Sequence, residues 1–313
     1  MRYFGYLSRR LVGGLLTVLA VISVCFLVLE ALPGDPTDMI LGETATDQDR
    51  VQLRRMLRLD QPFSTRYAQF LLDIVVPARG MGHSLRQPTR SAWSMIVEAW
   101  PDTVALALGA GLVAWTLAIP LALIAATRPR TKTDAVVGVV SMLGVAIPSL
   151  WLGPLLILAF CVALPWLPFP GPDARGLPAL ILPSLTLGVG MAGILTRMGR
   201  VALRETLREP FIQAARARGL SEPAVLIKHA LRAAMVPLLT AGGAQLSSLL
   251  GGAIITEKIF DRPGLGTLLL QSLTTRDLPV VLACVVVIAI TAVFVQLLVD
   301  VAYVLVDPRI RLA

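Results

Sequence analysis

The chain has 313 residues, of which 56% are apolar and only 15% are charged, and its mean hydropathy is +0.75. A soluble domain carries about 25% charged residues, so this composition excludes a water-soluble globule. The formal net charge of +8 would suit a nucleic-acid-binding protein, but the positions of the charges favour orientation in a lipid bilayer and no nucleic-acid partner.

Six stretches are long and apolar enough to cross a bilayer. A spanning helix needs about 20 apolar residues, and the uncharged runs are residues 11–29, 103–126, 135–172, 176–196, 233–256 and 278–299. Prolines from Pro165 onward break the third run, so we expect one helix from about Val136 to Leu164, kinked at Pro148 and Pro154. The sequence therefore predicts an all-α, polytopic membrane protein with six transmembrane helices.

The charged residues predict the orientation of these spans. Arg2, Arg9 and Arg10 precede a first run that is too long for a cleavable signal, so we expect an uncleaved span with its N-terminus inside. The predicted cytoplasmic segments then carry 16 Lys and Arg against five Asp and Glu, while the outer segments carry 12 against 13. Positive charge concentrates on the cytoplasmic side of membrane proteins, so we place both termini in the cytoplasm.

The spacing of the spans divides the chain into two regions. Residues 1–94 hold the first transmembrane helix and a large extracytoplasmic segment, and residues 95–313 hold the other five helices with a cytoplasmic loop at 197–232. Two short outer helices are predicted, one after Thr46 and one whose face carries Phe63, Tyr67, Phe70, Leu71 and Ile74. Their apolar faces lie either on the bilayer or the spans, or against an external partner.

The loop at 197–232 is polar, yet it contains a run of small residues. The alanines around Gln213 favour a helix, Gly219 is placed to end it, and Ser221-Glu222-Pro223 is typical of the start of another helix. A short helix-turn-helix of this kind offers a shallow surface that another protein could grip. The alternative is an ordinary amphipathic loop.

Motifs for nucleotide, metal or catalytic chemistry are missing from the sequence or poorly placed. Gly188-Val189-Gly190-Met191-Ala192-Gly193 fits a dinucleotide fingerprint, but it lies in an uncharged run, where small residues favour close helix packing. The sequence contains no GxxxxGK[ST] motif, so another chain must bind any ATP that is used. Two histidines and three cysteines provide no metal motif. We expect no catalytic residue, metal site or cofactor in this chain.

Ionisable groups inside spans are candidates for a transport path. Glu30 and Asp300 are the two that the span boundaries suggest, and each lies near a span end. Their role is either in the translocation path or in packing. Such scarcity of buried charge argues against the rival class, a self-sufficient secondary carrier driven by ions.

Residues 210–237 resemble the inner loop of permease subunits of bacterial ATP-binding-cassette (ABC) importers. That loop carries Glu-Ala-Ala, three residues and Gly, and here it reads Gln213-Ala214-Ala215-Arg216-Ala217-Arg218-Gly219. Ala215 to Leu220 and His229 to Arg232 are similar to the dipeptide, oligopeptide and nickel branch. Further motifs that match these permeases occur in the same order along the chain. Among them are Leu32-Pro33-Gly34-Asp35-Pro36, Ile147-Pro148-Ser149, Glu257-Lys258-Ile259-Phe260, Pro263-Gly264-Leu265-Gly266 and Asp307-Pro308-Arg309. One motif departs, since Arg79-Gly80-Met81-Gly82-His83-Ser84 lacks the aspartate usual in such permeases.

The resemblance implies the type I ABC importer permease fold and the first of two permease subunits in the bacterial inner membrane. Its partners would be a second homologous permease, two ATPases that bind ATP and Mg, and an extracytoplasmic solute-binding protein. It also implies that Gln213 to Leu220 dock in a cleft of an ATPase, with Arg216 and Arg218 pairing with acidic groups there and Gly219 allowing close approach. The expected cargo is a dipeptide or oligopeptide; a nickel chelate or another small solute is the alternative.

Overall fold

The computed structural model describes residues 2–31, 37, 46–56, 59–75, 81–171, 174 and 176–306, and these contain helices and no strand beyond one isolated bridge. The helices are α1 (Arg2–Ala31), α2 (Asp47–Met56), α3 (Phe63–Val75), α4 (Ala92–Thr127), α5 (Lys132–Ala146), α6 (Ser149–Ile157), α7 (Leu177–Thr206), α8 (Pro210–Ala217), α9 (Arg232–Gly252), α10 (Ile254–Ile259), α11 (Leu265–Thr274) and α12 (Leu278–Val306). The π-helical stretches Leu158–Ala163 and Val225–Leu231 extend α6 at its end and α9 at its start.

The candidate spans agree with the prediction of six. Among the described residues, five helices are individually long and apolar enough to cross a membrane, and the bent pair of α5 and α6 raises the number to six when it is counted as one span. The pair is bent by 96° at Ile147 and Pro148, where a kinked single helix was expected. Pro148 has no backbone N–H and forces the residue before it out of helical geometry, and Ile147 is accordingly extended at φ −78° and ψ 115°.

Small residues let α7 pack closely on its neighbours. A Cβ atom placed on Gly188 would stand 2.7 Å from Cβ of Val113 in α4, and one on Gly193 would stand 2.8 Å from Cγ2 of Val145 in α5. Side chains larger than hydrogen therefore do not fit at these two positions. The glycine-rich run is a helix-packing motif, as predicted.

The helices form two compact units. The first consists of residues 1–10, 102–263 and 291–313, and its buried clusters join α4, α7, α8 and α9. The second consists of residues 11–101 and 264–290.

Within the second unit, the face of α3 predicted to be apolar packs on the first span. Phe26 of α1 lies 5.6 Å from Phe63, 5.4 Å from Tyr67 and 5.3 Å from Phe70 between ring centroids. The hydroxyls of Ser23 and Tyr67 also lie 2.5 Å apart. Of the alternatives for this helix, the structure favours packing against a span.

Candidate functional site

The predicted helix-turn-helix in the 197–232 loop is present. Pro210 occupies the first turn of α8, where its missing N–H costs nothing. Gly219 follows the helix with φ +81°, a left-handed conformation that favours glycine. Ser221 is extended and precedes a helical turn at Glu222–Ala224 that leads into α9. The local sequence therefore sets this geometry.

Seven of the eight residues predicted to dock are exposed, and Ala215 is buried. Ala215 is 1% exposed and Ile212 is fully buried, and both pack with Leu203 of α7 and with Ala122 and Ala126 of α4. The i, i+3 spacing of Ile212 and Ala215 places them on one helix face, a signal that a helical wheel would have revealed.

The exposed side of α8 is shallow at its centre. Because successive residues are turned by about 100°, Ala214 and Ala217 lie opposite the buried face. Phe211, which the sequence reasoning did not select, is 45% exposed at one edge, and Leu220 is 40% exposed beyond the turn. A partner surface could approach the alanine backbone closely here. We call the exposed residues Gln213, Ala214, Arg216, Ala217, Arg218, Gly219 and Leu220 the α8 surface.

The structure refines the expected roles of the charged and glycine residues in this surface. The guanidinium of Arg216 binds Glu222 of the same chain, with Nε–Oε1 at 2.7 Å and Nη2–Oε2 at 3.2 Å. Arg218 donates from Nε to the Ala214 carbonyl at 3.2 Å. A Cβ atom on Gly219 would meet no atom within 4 Å. The requirement for glycine within this chain is therefore conformational and not steric.

A buried ion cluster lies next to α8. The carboxylate of Asp134, a residue that is 4% exposed, lies 2.8 Å from Arg200 Nε and 2.9 Å from Arg200 Nη2. Nη2 of Arg204 lies 2.7 Å from the same carboxylate, and the Arg130 amide donates to it at 3.1 Å. Arg200 and Arg204 are four residues apart on α7, so both guanidinium groups reach one point. We call Asp134, Arg200 and Arg204 the Asp134 joint.

Asp300, one of the two predicted intramembrane carboxylates, is held by an arginine. Its side chain is 4% exposed and forms an ion pair with Arg10, with Nε–Oδ2 at 3.0 Å and Nη2–Oδ1 at 3.1 Å. Three residues later, the hydroxyl of Tyr303 donates to Thr240 Oγ1 at 2.6 Å. Glu30 lies in the last turn of α1, and its side chain is outside the described residues.

Sequence reasoning also missed the buried carboxylate of Glu257 and the partly buried carboxylate of Asp102. Glu257 is 1% exposed and accepts a hydrogen bond of 2.6 Å from Thr103 Oγ1. Asp102 pairs with Arg262. Because α4 begins at Ala92, Asp102 also belongs to a helix of spanning length. Among the described residues, no group of three His, Cys, Asp or Glu side chains is arranged to hold a metal ion.

Comparison with known proteins identifies the class to which this fold and loop belong. Residues 118–312 match the family described as binding-protein-dependent transport system inner membrane component, and residues 3–107 match its N-terminal membrane component. The chain belongs to this family. It is an inner-membrane permease component of an ABC importer, of the peptide and nickel branch.

Individual proteins of known name are similar to this chain. The chain is 35% identical over 306 residues to the glutathione transport system permease proteins GsiC of Escherichia coli O6:H1 and of Salmonella typhi, covering 98% of each chain. Among solved structures, it resembles an inward-facing conformation of the MetNI methionine ABC transporter. That likeness has a TM-score of 0.57 and 23% identity, and it covers 68% of this chain and 96% of the other. The structural likeness supports the fold alone.

Proposed function

We propose that this chain forms half of the translocation path of an ATP-driven importer of short peptides. The other half is a second, homologous permease. Two ATPase subunits bind ATP and Mg and carry out the hydrolysis, and an extracytoplasmic protein delivers the solute. The observation that carries this proposal is helix α8, which is exposed on one side, at the α8 surface, and packed against the spans on the other.

The structure of α8 supports a mechanical role. Ile212 and Ala215 anchor the helix to α4 and α7 through a cluster of buried side chains. A displacement imposed on the α8 surface by closure of the ATPases is therefore passed to two spans. Two arrangements of these spans, biased by the nucleotide state of the ATPases, would open the path alternately to either side. This chain needs no cofactor for that work.

The charge pattern supports the orientation that this mechanism needs. The two predicted inner segments, residues 127–134 and 197–232, together carry 11 Lys and Arg. With these segments and both termini in the cytoplasm, α8 faces the compartment that contains ATP. Residues 1–94 then contribute the outer segment and residues 95–313 the core with the inner loop. The ion pair of Asp300 with Arg10 supports a packing role for Asp300 and not a place in the path.

The choice of cargo rests on the relatives. The named relatives are permeases of a glutathione transport system, and glutathione is a tripeptide. This supports a short peptide as the transported solute. Uptake assays with a dipeptide, glutathione and a nickel chelate as competing substrates separate the peptide proposal from the alternatives within the same branch.

The α8 surface can be tested by one charge placed at its centre. In vesicles that contain the complete importer, we expect Ala217→Glu to reduce ATP-dependent uptake by about tenfold or more, because a buried unpaired charge at an interface costs several kcal/mol. Ala68→Glu is the matched control, since Ala68 is also an exposed alanine on a short helix, α3, which is predicted to lie outside. Equal uptake by the Ala217→Glu importer and the wild type, at equal amounts of assembled protein, would contradict the proposal.

A further inference from the structure

We propose that the Asp134 joint makes the ends of α4, α5 and α7 move as one body with α8, so that Asp134, Arg200 and Arg204 are positioning residues for transport. This inference rests on the proposed function of α8. It extends that function from the docking surface to the connection behind it.

The Asp134 joint binds three helix ends together. Asp134 lies in the first turn of α5, and Arg200 and Arg204 lie in the last two turns of α7. Arg204 also donates from Nη2 to the carbonyl of Ala125, near the end of α4, at 3.0 Å. Arg200 contacts both oxygens of this carboxylate, through a hydrogen bond from Nη2 to Oδ2 at 2.9 Å, which gives the pair its direction, and through an ion-pair contact of Nε with Oδ1 at 2.8 Å.

Helix α8 cannot move independently of this joint. Only Leu207 to Glu209 separate α7 from α8, and their amides donate back to Leu203, Glu205 and Thr206 at 2.9 to 3.1 Å. No slack chain therefore lies between Arg204 and α8. On its buried side, α8 packs on Leu203 of α7, which is next to Arg204 in the chain. It also packs on Ala126 of α4, the residue after Ala125, whose carbonyl Arg204 binds.

The joint contributes a fixed geometry more than it contributes stability. The side chains of Arg200 and Arg204 are 31% and 27% exposed, so both stay partly hydrated if the joint opens. Ion pairs of this kind add little net stability compared with apolar packing, but they select one geometry. We therefore assign the joint to transmission of movement. Breaking it leaves α8 able to respond to the ATPases while α5 no longer follows.

The test compares transport with ATP hydrolysis in vesicles that contain the complete importer. We expect Asp134→Asn and Arg200→Gln to lower the solute transported per ATP hydrolysed by at least about fivefold, while ATP hydrolysis stays within about twofold of the wild type. Arg197→Gln is the matched control, because Arg197 is an exposed arginine on the same helix. We expect its ratio to be unchanged.

A merely structural role gives a different result. If transport and hydrolysis fall together with the amount of assembled importer, or if neither changes, the joint does not transmit movement and the inference is wrong. Should Asp134→Asn fail to assemble, Arg200→Lys keeps the charge but cannot contact both carboxylate oxygens in the same way, and the same fall in the ratio is expected. Failure of the proposed function is recognised separately, by Ala217→Glu importers that transport normally.

Distances give a second readout that does not depend on activity. Spin labels at the exposed positions Lys132 and Arg208 report on the ends of α5 and α7. In the wild-type importer, we expect their separation to stay constant when ATP is added. In the Asp134→Asn importer, we expect the distance distribution to broaden. A wild-type separation that changes with ATP would overturn the rigid connection.

Discussion

Two polar segments of the chain, 197–232 and 81–91, each combine a turn at a glycine with a nearby buried aspartate, but the residues that these features contact differ. Each turns at a glycine with positive φ, +81° at Gly219 and +88° at Gly82. Each also lies beside a buried aspartate. Asp134 meets two guanidinium groups, whereas Asp277 accepts hydrogen bonds from the Ser84 hydroxyl and, at 3.0 Å, from the Leu85 amide.

The difference separates a segment that leaves one face exposed from a segment that packs on residues of its own unit. A Cβ on Gly82 would lie 3.4 Å from Cβ of Pro279, in van der Waals contact, while one on Gly219 would meet nothing within 4 Å. The 81–91 segment thus packs on residues of its own unit, whereas α8 has one exposed face. Gly82 and Ser84 are the residues of the Arg79–Ser84 motif that match the pattern usual in such permeases, which has an aspartate that is absent here. Ser84 instead donates to the carboxylate of Asp277, 193 residues away in the chain.

After Ala217→Glu, the largest effect on uptake is expected at Gly219. A left-handed conformation costs an L-residue about 1–2 kcal/mol, and more for a β-branched side chain. We therefore expect Gly219→Val to reduce uptake by the complete importer by about tenfold. Gly219→Asn is the control, since asparagine tolerates this conformation, and it should retain most of the uptake. Equal loss in both variants would show that side-chain bulk at a packed joint, and not backbone conformation, is decisive.

The next largest effect is expected at Asp134, the aspartate whose partners are charged. Asp134→Ala leaves two guanidinium groups without their carboxylate, and breaking a fully buried pair costs about 3–5 kcal/mol. Partial exposure of both arginines reduces this cost, so we expect a loss of about 2–3 kcal/mol. The measurement is the melting temperature of the purified importer in detergent. A melting temperature equal to that of the wild type would remove the contrast between the two aspartates.

A smaller loss is expected at Asp277, whose partners are an uncharged hydroxyl and a backbone amide. Asp277→Ala leaves the hydroxyl of Ser84 and the amide of Leu85 without this acceptor, which costs about 1–3 kcal/mol in total. Asp277→Asn retains a carbonyl oxygen and should restore part of the melting temperature. We expect Asp277→Ala to lower the melting temperature less than Asp134→Ala does. The reverse order would contradict it.

The smallest effect is expected for the pair on the α8 surface. Arg216 and Glu222 have side chains that are 43% and 60% exposed, and such pairs contribute about 0–1 kcal/mol. We expect Glu222→Gln to change the melting temperature by less than about 2 °C. Uptake should change by less than about threefold, because the docking surface itself is kept. A tenfold loss of uptake would show that this pair helps to form the docked state.

Strong local patterns made much of the fold predictable. The uncharged runs predicted the spans, Pro148 predicted the bend between α5 and α6, and the alanines with Gly219 predicted α8 and its turn. These features depend on residues close together in the chain, where hydropathy, proline geometry and glycine conformation decide the structure. The motifs 32–36 and 307–311 lie outside the described residues.

Contacts between distant parts of the chain were not predictable in the same way. Asp134 and Arg200 are 66 residues apart, and Thr103 and Glu257 are 154 apart. Only helix packing brings such pairs together. A partial signal existed, since Arg200 and Arg204 share one face of a predicted span end. The α8 surface remains a predicted docking site, because its role depends on a partner chain.

The central claim, that ATP hydrolysis in partner subunits drives transport through α8, is tested most directly by solute accumulation in vesicles. Vesicles loaded with ATP are compared when they contain the complete importer and when the ATPase subunits are left out. The account predicts accumulation against a gradient with the complete importer and none without the ATPases. Accumulation by vesicles that lack the ATPases would contradict it.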